Sequence, residues 1–253
     1  MHKIFSYILS PIVWLAIMAV IVILHPFQVL ALKLFGYHAH KRVVDLIGAL
    51  VLMPLRLIGT NYKFIRNVAI PDNRPIIVIS NHQSTFDISA SMVAFRKHHP
   101  KFIAKESLGK NIPSISYNLR HGGSVLIDRD KQGQSVREII KLGRYIEKYK
   151  RTAIIYPEGT RSTTGRLREF KAAGIKTLLR SAPSAIIIPF AIDGNYKIHK
   201  YGNFPFAIGQ RIRYTVLEPI EPNGLSPEEI VAKAEQEIRK TLLGDLNSEL
   251  ATL

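Results

Sequence analysis

Residues 4–24 form an uncharged run near the amino terminus, IFSYILSPIVWLAIMAVIVIL. As a helix, these 21 residues have about the length needed to cross a hydrocarbon core of roughly 30 Å. A secretory signal peptide is the alternative, but its apolar core would be shorter, and no small-residue cleavage site follows Leu24. The run therefore predicts an amino-terminal segment that associates with a membrane.

A second apolar stretch, VVDLIGALVLMPLRLIG, covers residues 43–59. It predicts an interfacial or partly inserted helix, because three residues that a membrane span disfavours interrupt it: Asp45, Pro54 and Arg56. Basic residues between the two stretches outnumber those before the first, which places the rest of the chain on the cytoplasmic side. We divide the chain into a membrane-associated helical segment (1–59) and one globular domain (60–253). Whether the first run spans the bilayer or is re-entrant stays open.

The composition favours phosphate-bearing partners. The chain holds 35 Lys and Arg against 19 Asp and Glu, a formal net charge of +16 at pH 7, and such a charge attracts anions. An anionic phospholipid membrane fits better than nucleic acid, because the basic residues are scattered among strands and the chain begins in a membrane. The absence of cysteine excludes disulfides, a thiolate nucleophile and an acyl-cysteine intermediate.

After residue 59, short β-branched runs alternate with amphipathic segments, a pattern typical of βα units. The fold class we predict is α/β: a single mixed, mainly parallel sheet flanked by helices, with the hydrophobic membrane-docking helical segment at the amino terminus. The predicted strands are 75–80, 101–105, 124–128, 152–157, 185–192 and 211–217, and the predicted helices are about 86–97, 135–149, 168–181 and 227–242. Ser135 is the expected cap of the second of these helices. Ser226 and Glu229 predict a capping box for the last.

The segment NHQSTFD, residues 81–87, follows directly on a predicted buried strand, where open α/β sheets usually bind ligands. If Ser84 or Thr85 caps a helix that begins here, Asp87 lies in its first turn and can reach back to His82. The carboxylate would then fix the imidazole tautomer and leave the other ring nitrogen free to accept a proton. In the alternative interpretation, the polar residues only cap the helix and His82 bonds a backbone carbonyl.

The segment YPEGTRS, residues 156–162, ends another predicted strand. Gly159 permits a tight turn, Thr160 offers a hydroxyl, and Arg161 can grip a phosphate with two N–H groups. Glu158 is unusual in an anion site, and we expect it to hold loop amides or a basic neighbour in place. An ordinary turn is the alternative.

In HGGSVLIDR, residues 121–129, Arg129 supplies charge just after a strand, although it could equally form a structural ion pair with Asp128. Lys105 ends the strand before this one, and we expect it either at the same edge of the sheet as Arg161 or simply in solvent. The nine histidines show no H-x-x-x-H or H-E-x-x-H spacing, so no metal site is expected. No G-x-S-x-G nucleophile elbow is present, which argues against a serine hydrolase.

Four segments in fixed order, NHQSTFD, GSVLIDR, YPEGTRS and IPFAI (188–192), resemble the four blocks of the glycerolipid acyltransferases, specifically the bacterial 1-acyl-sn-glycerol-3-phosphate acyltransferase family. The resemblance covers about residues 60–215, and the apolar segments resemble that family's membrane-docking helices. Leu126 and Tyr156 each replace a common Phe. The resemblance places Pro189 on the acyl-donor or packing side.

The resemblance implies that His82 is a general base oriented by Asp87, and that Arg161 binds the glycerol phosphate in a loop shaped by Glu158 and Gly159. Further substrate-binding positions would be Thr160, Arg129 and Lys105. The implied reaction transfers an acyl group from acyl-CoA or acyl carrier protein to the sn-2 hydroxyl of 1-acyl-sn-glycerol-3-phosphate, with no further cofactor. The acyl group would pass directly, because Ser84 is a good helix cap with little freedom to act as a nucleophile.

Two alternatives to this reaction stay open. The acceptor could be another lysolipid, such as lyso-ornithine lipid or lysophosphatidylglycerol, and the basic loop favours a phosphate-bearing acceptor only weakly. The protein could instead be a non-catalytic membrane protein that binds anionic lipid, which would leave the spacing of the four blocks without a cause. On the acyltransferase interpretation, the catalytic domain would lie on the cytoplasmic face of the inner membrane.

Overall fold

The computed structural model of the protein describes residues 2–250. Its α-helices are α1 (His2–Leu52), α2 (Phe86–Ala94), α3 (Ile115–His121), α4 (Gln132–Tyr149), α5 (Ala172–Ser181) and α6 (Pro227–Leu250). Its strands are β1 (Asn61–Arg66), β2 (Ile76–Ser80), β3 (Pro100–Lys105), β4 (Val125–Ile127), β5 (Thr152–Ile155), β6 (Ile186–Asp193) and β7 (Arg211–Val216).

The seven strands form one sheet in the order β1-β7-β6-β2-β5-β3-β4. Pairing is parallel throughout except between β6 and β7, which run antiparallel. The predicted fold class, a mixed and mainly parallel sheet flanked by helices, is confirmed. Strand β2 lies at the centre between β5 and β6, so the segment after β2 emerges in the middle of one sheet edge.

Two hydrophobic layers cover the sheet, because successive side chains of a strand point to opposite faces. Ile76 and Val78 of β2 pack under α1 and α2, whereas Ile77 and Ile79 pack under α4, α5 and α6. All five residues of β2 are buried, as expected for a parallel strand covered on both sides. This covering leaves the strand ends as the exposed polar edge of the sheet.

Helix α1 is bent at Gly36, where φ is 75° and ψ is −164°. Before the bend, Val13, Ile17 and Ile21 are buried in the same core layer as the sheet. The opposite side is exposed and apolar, and includes Ile4, Ile8, Leu15, Val22, Phe27, Leu30, Leu34 and Phe35. The helix therefore lies side-on against the domain with an apolar stripe facing outward.

The second predicted apolar segment forms the end of α1 and the 3₁₀ turn Met53–Ile58. It was expected to be interfacial. One side, with Leu55 and Ile58, is fully buried in the domain core, while Met53 and Leu57 are more than half exposed. This segment joins the domain core through its buried side and offers only its outer side to a membrane.

Several predicted boundaries are wrong. Helix α5 begins at Ala172 rather than 168, and α4 begins at Gln132, so Ser135 lies inside α4 and its hydroxyl donates to the Asp128 carbonyl at 2.7 Å. Strand β1 and helix α3 were not predicted. The capping box of α6 is confirmed, since the Ser226 N–H donates to Glu229 Oε2 at 2.7 Å and the Glu229 N–H donates to Ser226 Oγ at 3.2 Å.

Candidate active site

The polar segment at residues 81–87 begins where β2 leaves the sheet. The buried side chain of Asn81 donates to the Ile192 carbonyl and accepts from the Ile192 N–H, both at 2.8 Å. This amide takes the place of a peptide group in the ladder, so the chain can turn away from the sheet without leaving the β6 backbone unpaired. The turn delivers His82 to the strand end and lets α2 begin at Phe86.

The carboxylate of Asp87 is fully buried in the first turn of α2 and is the hub of the site. Oδ2 accepts from His82 Nδ1 at 2.7 Å and from the N–H groups of Gln83 and Ser84 at 2.6 and 2.8 Å. Oδ1 accepts from the side-chain amide of Asn195. These donors fix the carboxylate, which in turn keeps the hydrogen on Nδ1 and leaves Nε2 free to accept a proton. The expected contact between His82 and Asp87 is present, and the alternative of a backbone carbonyl partner does not hold.

The imidazole of His82 is 18% exposed and rests on an aromatic ring. The Tyr156 ring stacks on it with 4.3 Å between centroids and 23° between planes. The Tyr156 hydroxyl bonds Ser91 Oγ at 2.9 Å and donates to the Asp87 backbone carbonyl at 3.3 Å. The Tyr156 hydroxyl therefore adds a polar link between the end of β5 and α2 beneath the histidine.

Ser84 is fully buried and occupied by structural bonds. Its Oγ accepts from the Phe86 N–H at 3.2 Å and pairs with His199 Nε2 at 2.9 Å. A buried hydroxyl held in this way is not presented to a substrate. The geometry therefore argues against Ser84 as a nucleophile.

The loop after β5 forms hydrogen bonds with both the N–H and the carbonyl of His82. The His82 N–H donates to Glu158 Oε1 at 2.6 Å, and the Ser162 N–H donates to the His82 carbonyl at 2.7 Å. Glu158 Oε2 also accepts from the Arg168 N–H at 3.1 Å. Glu158 thus holds loop amides, as expected from its place in the sequence. Burial raises the pKa of Glu158, and the hydrogen bonds from these two amides oppose that shift.

Basic side chains gather around the same loop. Gly159 has a φ of 71°, the left-handed region that favours glycine, and its carbonyl accepts from Arg129 Nη1. Asp128 pairs instead with Lys131 at 3.2 Å, so the alternative of an Asp128–Arg129 ion pair is wrong. The structure therefore ties the ends of β4 and β5 together through an arginine.

The remaining predicted positions differ in their exposure to solvent. Thr160 and Arg161 are exposed in the loop. Lys105 is exposed at the end of β3, in register with Ile127 of β4. Because β3, β4 and β5 are parallel, Lys105 lies at the same edge of the sheet as the loop that holds Thr160 and Arg161. Pro189 is buried within β6.

A segment that the sequence analysis missed completes the site from the end of β6. Gly194, with a φ of 82°, turns the chain into the 3₁₀ helix Asn195–His199. The Asn195 N–H donates to Gln83 Oε1 at 2.9 Å, while its side chain reaches Asp87. The strand-end rule that pointed to residues 81–87 applies equally to this polar segment after β6, so the signal was present in the sequence.

The partly buried His199 lies beside Ser84 at the end of this 3₁₀ helix. Burial lowers its pKa, the charge of Arg161 lowers it further, and Asp87 opposes both. The 2.9 Å contact between His199 Nε2 and Ser84 Oγ ties this imidazole to the segment that follows β2.

Comparison with known proteins places these features in a family. The sequence profile of the acyltransferase family matches residues 61–193, more than half of the chain. The 1-acyl-sn-glycerol-3-phosphate acyltransferase alpha of Ovis aries is 23% identical over 197 residues, covering 75% of this chain and 67% of its own length. The 1-acyl-sn-glycerol-3-phosphate acyltransferase of Saccharomyces cerevisiae is 30% identical over 169 residues, covering 64% of this chain and 53% of its own length.

A solved structure shows the same architecture over nearly the whole chain. The crystal structure of the 1-acyl-sn-glycerophosphate (LPA) acyltransferase PlsC from Thermotoga maritima superposes with a TM-score of 0.79 at 26% identity, covering 96% of this chain and 97% of that one. The match extends through α1, since it leaves only 4% of this chain uncovered. The chain therefore belongs to the acyltransferase family.

Proposed function

We propose that this protein transfers an acyl group from an acyl thioester to the sn-2 hydroxyl of 1-acyl-sn-glycerol-3-phosphate, producing phosphatidic acid for phospholipid synthesis. The names of the relatives and of the solved structure support this acceptor. The donor would be acyl-CoA or acyl carrier protein, since both present a thioester to a basic protein. The reaction would need no cofactor beyond this donor.

The observation that carries the proposal is the hydrogen bond between His82 Nδ1 and Asp87 Oδ2, 2.7 Å long, at the carboxyl end of the central strand. A buried carboxylate behind an accessible imidazole is the arrangement of a general base. The Glu158 and Ser162 contacts to the His82 backbone hold this base beside the basic loop. A mere helix cap would not need the imidazole in this position.

The reaction follows from these positions. His82 Nε2 takes the proton of the sn-2 hydroxyl as its oxygen attacks the thioester carbonyl, and Asp87 stabilises the imidazolium that forms. The tetrahedral intermediate collapses by breaking the carbon–sulfur bond. The departing sulfur takes the proton from His82, so that one ester and one thiol are produced and the base is restored.

The acceptor phosphate would bind at the loop after β5. Arg161 is exposed there and can bond two phosphate oxygens at once. Arg129 is tied to the Gly159 carbonyl, which shapes the loop, and Lys105 and Thr160 complete the rim. Fixing the phosphate would orient the free hydroxyl toward His82, which is how positioning contributes to rate.

The membrane would hold the acceptor's acyl tail. The helix of residues 3–58 contains an 18-residue window with a mean hydropathy of 2.6, so by length and composition it could cross a membrane. Helix α1 nevertheless packs side-on against the domain, so we propose that its outward apolar stripe lies in the membrane surface, with the domain on the cytoplasmic face. This placement brings the site close to the headgroups where a lysophospholipid presents its phosphate.

The test is release of free thiol from an acyl thioester in the presence of 1-acyl-sn-glycerol-3-phosphate in detergent or vesicles. The wild type should release thiol only when the acceptor is present, and His82→Ala should lower kcat by at least about 10²-fold. His121→Ala is a matched control, because His121 is an exposed histidine at the end of α3. Near-normal turnover of His82→Ala would make His82 structural and refute the mechanism.

The same assay distinguishes the alternatives. If the wild type acts on a phosphate-free lysolipid such as lyso-ornithine lipid but not on the phosphate-bearing acceptor, the chemistry stands and the acceptor is wrong. Arg161→Ala should raise the KM for the phosphate-bearing acceptor and should also lower kcat, because the phosphate contact orients the reacting hydroxyl. A protein that binds anionic vesicles but turns over no lysolipid would support the non-catalytic alternative.

A further inference from the structure

The loop of residues 200–206, KYGNFPF, follows the 3₁₀ helix of the active site and lies against the first turns of α1. The Phe206 N–H donates to Ser10 Oγ at 2.8 Å, and the Phe206 ring stacks on Trp14 with centroids 5.4 Å apart. The Phe204 ring meets Tyr7 edge-on at 5.7 Å. The amino-terminal end of α1 is therefore fixed to this loop by aromatic contacts and by a buried hydrogen bond.

The outer part of the loop extends the exposed apolar stripe of α1. Phe206 is fully buried, but Phe204 is 45% exposed and its neighbour Tyr7 is 51% exposed. On the helix, Ile4 lies one turn before Tyr7 and is 67% exposed, and Ile8, the residue after Tyr7, is 59% exposed. The exposed Phe204 ring, in contact with Tyr7, adds to the exposed apolar side chains at this end of α1, and large exposed apolar patches mark interaction sites.

Charge and aromatic chemistry identify the occupant of this surface. The Lys3 and Lys200 ammonium groups lie 5.5 and 5.9 Å from the centroid of the Tyr201 ring. Lysines beside an aromatic ring at the edge of an apolar patch suit the headgroup region of a bilayer, where the ring sits at the interface and the cations meet lipid phosphates. A protein partner would not require this gradation from apolar to cationic.

We propose that the 200–206 loop is a second membrane-contact element, with Phe204 in the acyl region of an anionic bilayer and Lys3 and Lys200 at its headgroups. This inference rests on the proposed docking of α1, but not on the proposed reaction.

The loop also connects the membrane surface to the active site. His199, the residue just before it, bonds Ser84, and the Gly202 N–H donates back to the His199 carbonyl at 2.9 Å. The Phe206 ring packs edge-on against His199 at 5.9 Å. A bilayer that holds the loop therefore fixes the height of the site above the headgroups, and it marks the side from which a lysophospholipid would enter.

The test uses tryptophan fluorescence, because Trp14 is the chain's single tryptophan. In a Trp14→Phe background of the full chain, Phe204→Trp moves the fluorophore to the loop. The protein is mixed with vesicles of equal amounts of brominated phosphatidylcholine and phosphatidylglycerol, whose bromine atoms quench tryptophan in the acyl region. We expect strong quenching and a blue shift for Phe204→Trp.

Leu243→Trp in the same background is the matched control. Leu243 is 56% exposed on α6, which covers the opposite face of the sheet from α1, so its tryptophan should not be quenched. Equal quenching at the two positions would overturn the inference, provided that Trp14 of the wild type is quenched. If Trp14 itself escapes quenching, the docking of α1 fails together with this inference, whatever the activity measurements show.

Two further variants test charge and function. Lys200→Gln should weaken binding to phosphatidylglycerol vesicles about fivefold, with a smaller effect on phosphatidylcholine vesicles. Phe204→Ser should raise the apparent KM for an acceptor embedded in vesicles while leaving turnover of a dispersed short-chain acceptor unchanged. Equal loss on both acceptors would show that Phe204 acts on folding or on the site, and would refute its role at the membrane.

Discussion

Asn195 is the residue through which the proposed base can be perturbed without touching it. Its side-chain amide donates to Asp87 Oδ1, while the three other donors to this carboxylate all reach Oδ2. Asn195 is fully buried, so replacing it with alanine takes this donor from an oxygen that lies out of contact with bulk solvent. The carboxylate would then be held through Oδ2 alone, and it would fix the direction of the His82 imidazole less firmly.

The size of the effect follows from the kind of bond that is lost. A hydrogen bond to a charged group contributes about 1.5–3 kcal/mol. If that contribution is expressed in the transition state, where Asp87 faces an imidazolium, kcat should fall about tenfold to a hundredfold. The acceptor KM should stay within about twofold, because Asn195 lies behind the carboxylate rather than on the basic loop.

Asn81 provides the matched control for Asn195→Ala. Asn81 is 2% exposed, adjoins His82 in sequence and makes two side-chain hydrogen bonds to Ile192, but its bonds do not involve Asp87. Both alanine variants should lower Tm, and Asn195→Ala should lower kcat much further at a similar loss of Tm. If kcat of Asn195→Ala stays within about twofold of wild type, or if Asn81→Ala loses as much kcat, the positioning argument is wrong.

Two further predictions concern stability. At Gly194, where φ is 82°, an added Cβ would lie 2.4 Å from the Arg211 carbonyl oxygen. Gly194→Ala should therefore lower Tm more than Gly224→Ala, because at Gly224 φ is 77° but the space is open. Equal losses of Tm in the two variants would show that the clash relaxes. Burial lowers the pKa of Lys101 to about 7 from an ordinary 10.5. Because the unfolded chain then binds more protons between these values, stability should rise with pH across that window. Lys101→Met should therefore raise Tm at pH 7 and by less near pH 10, and a gain independent of pH would contradict this account.

The sequence predicts those parts of the fold whose hydrophobic pattern lies within a single segment of the chain. Strand β2 is buried on both faces, and its unbroken apolar run identifies it without reference to any neighbour. Strand β1, NYKFIR, is mostly exposed at the edge of the sheet and exists because it pairs in parallel with β7, about 150 residues later in the chain. No local pattern records that pairing. Helix α3 has only seven residues, too few for a helical period to stand out.

The start of α4 shows how tertiary bonds displace a local signal. Ser135 is a good cap by residue type, yet its hydroxyl is used to hold the Asp128 carbonyl, and the helix begins three residues earlier at Gln132. The Gln134 side chain accepts from the Asp128 N–H at 2.9 Å and donates to the Leu126 carbonyl at 3.0 Å. The loop after β4 is thus fastened to α4 by side chains that a capping rule would assign to other roles.

In the candidate site, too, some residues are predictable from a local pattern and others depend on tertiary contacts. The rule that strand ends carry ligand groups located His82, Glu158 and Arg161, because each follows an apolar run that is visible in the sequence. Asn195 follows a run of the same kind, but nothing in the local sequence shows that its amide meets Asp87 across 108 positions of chain. That meeting depends on β6 lying beside β2, and on Gly194 turning the chain back toward α2. The dyad was therefore predictable from one segment, whereas the groups that hold its carboxylate become visible only once the sheet order is known.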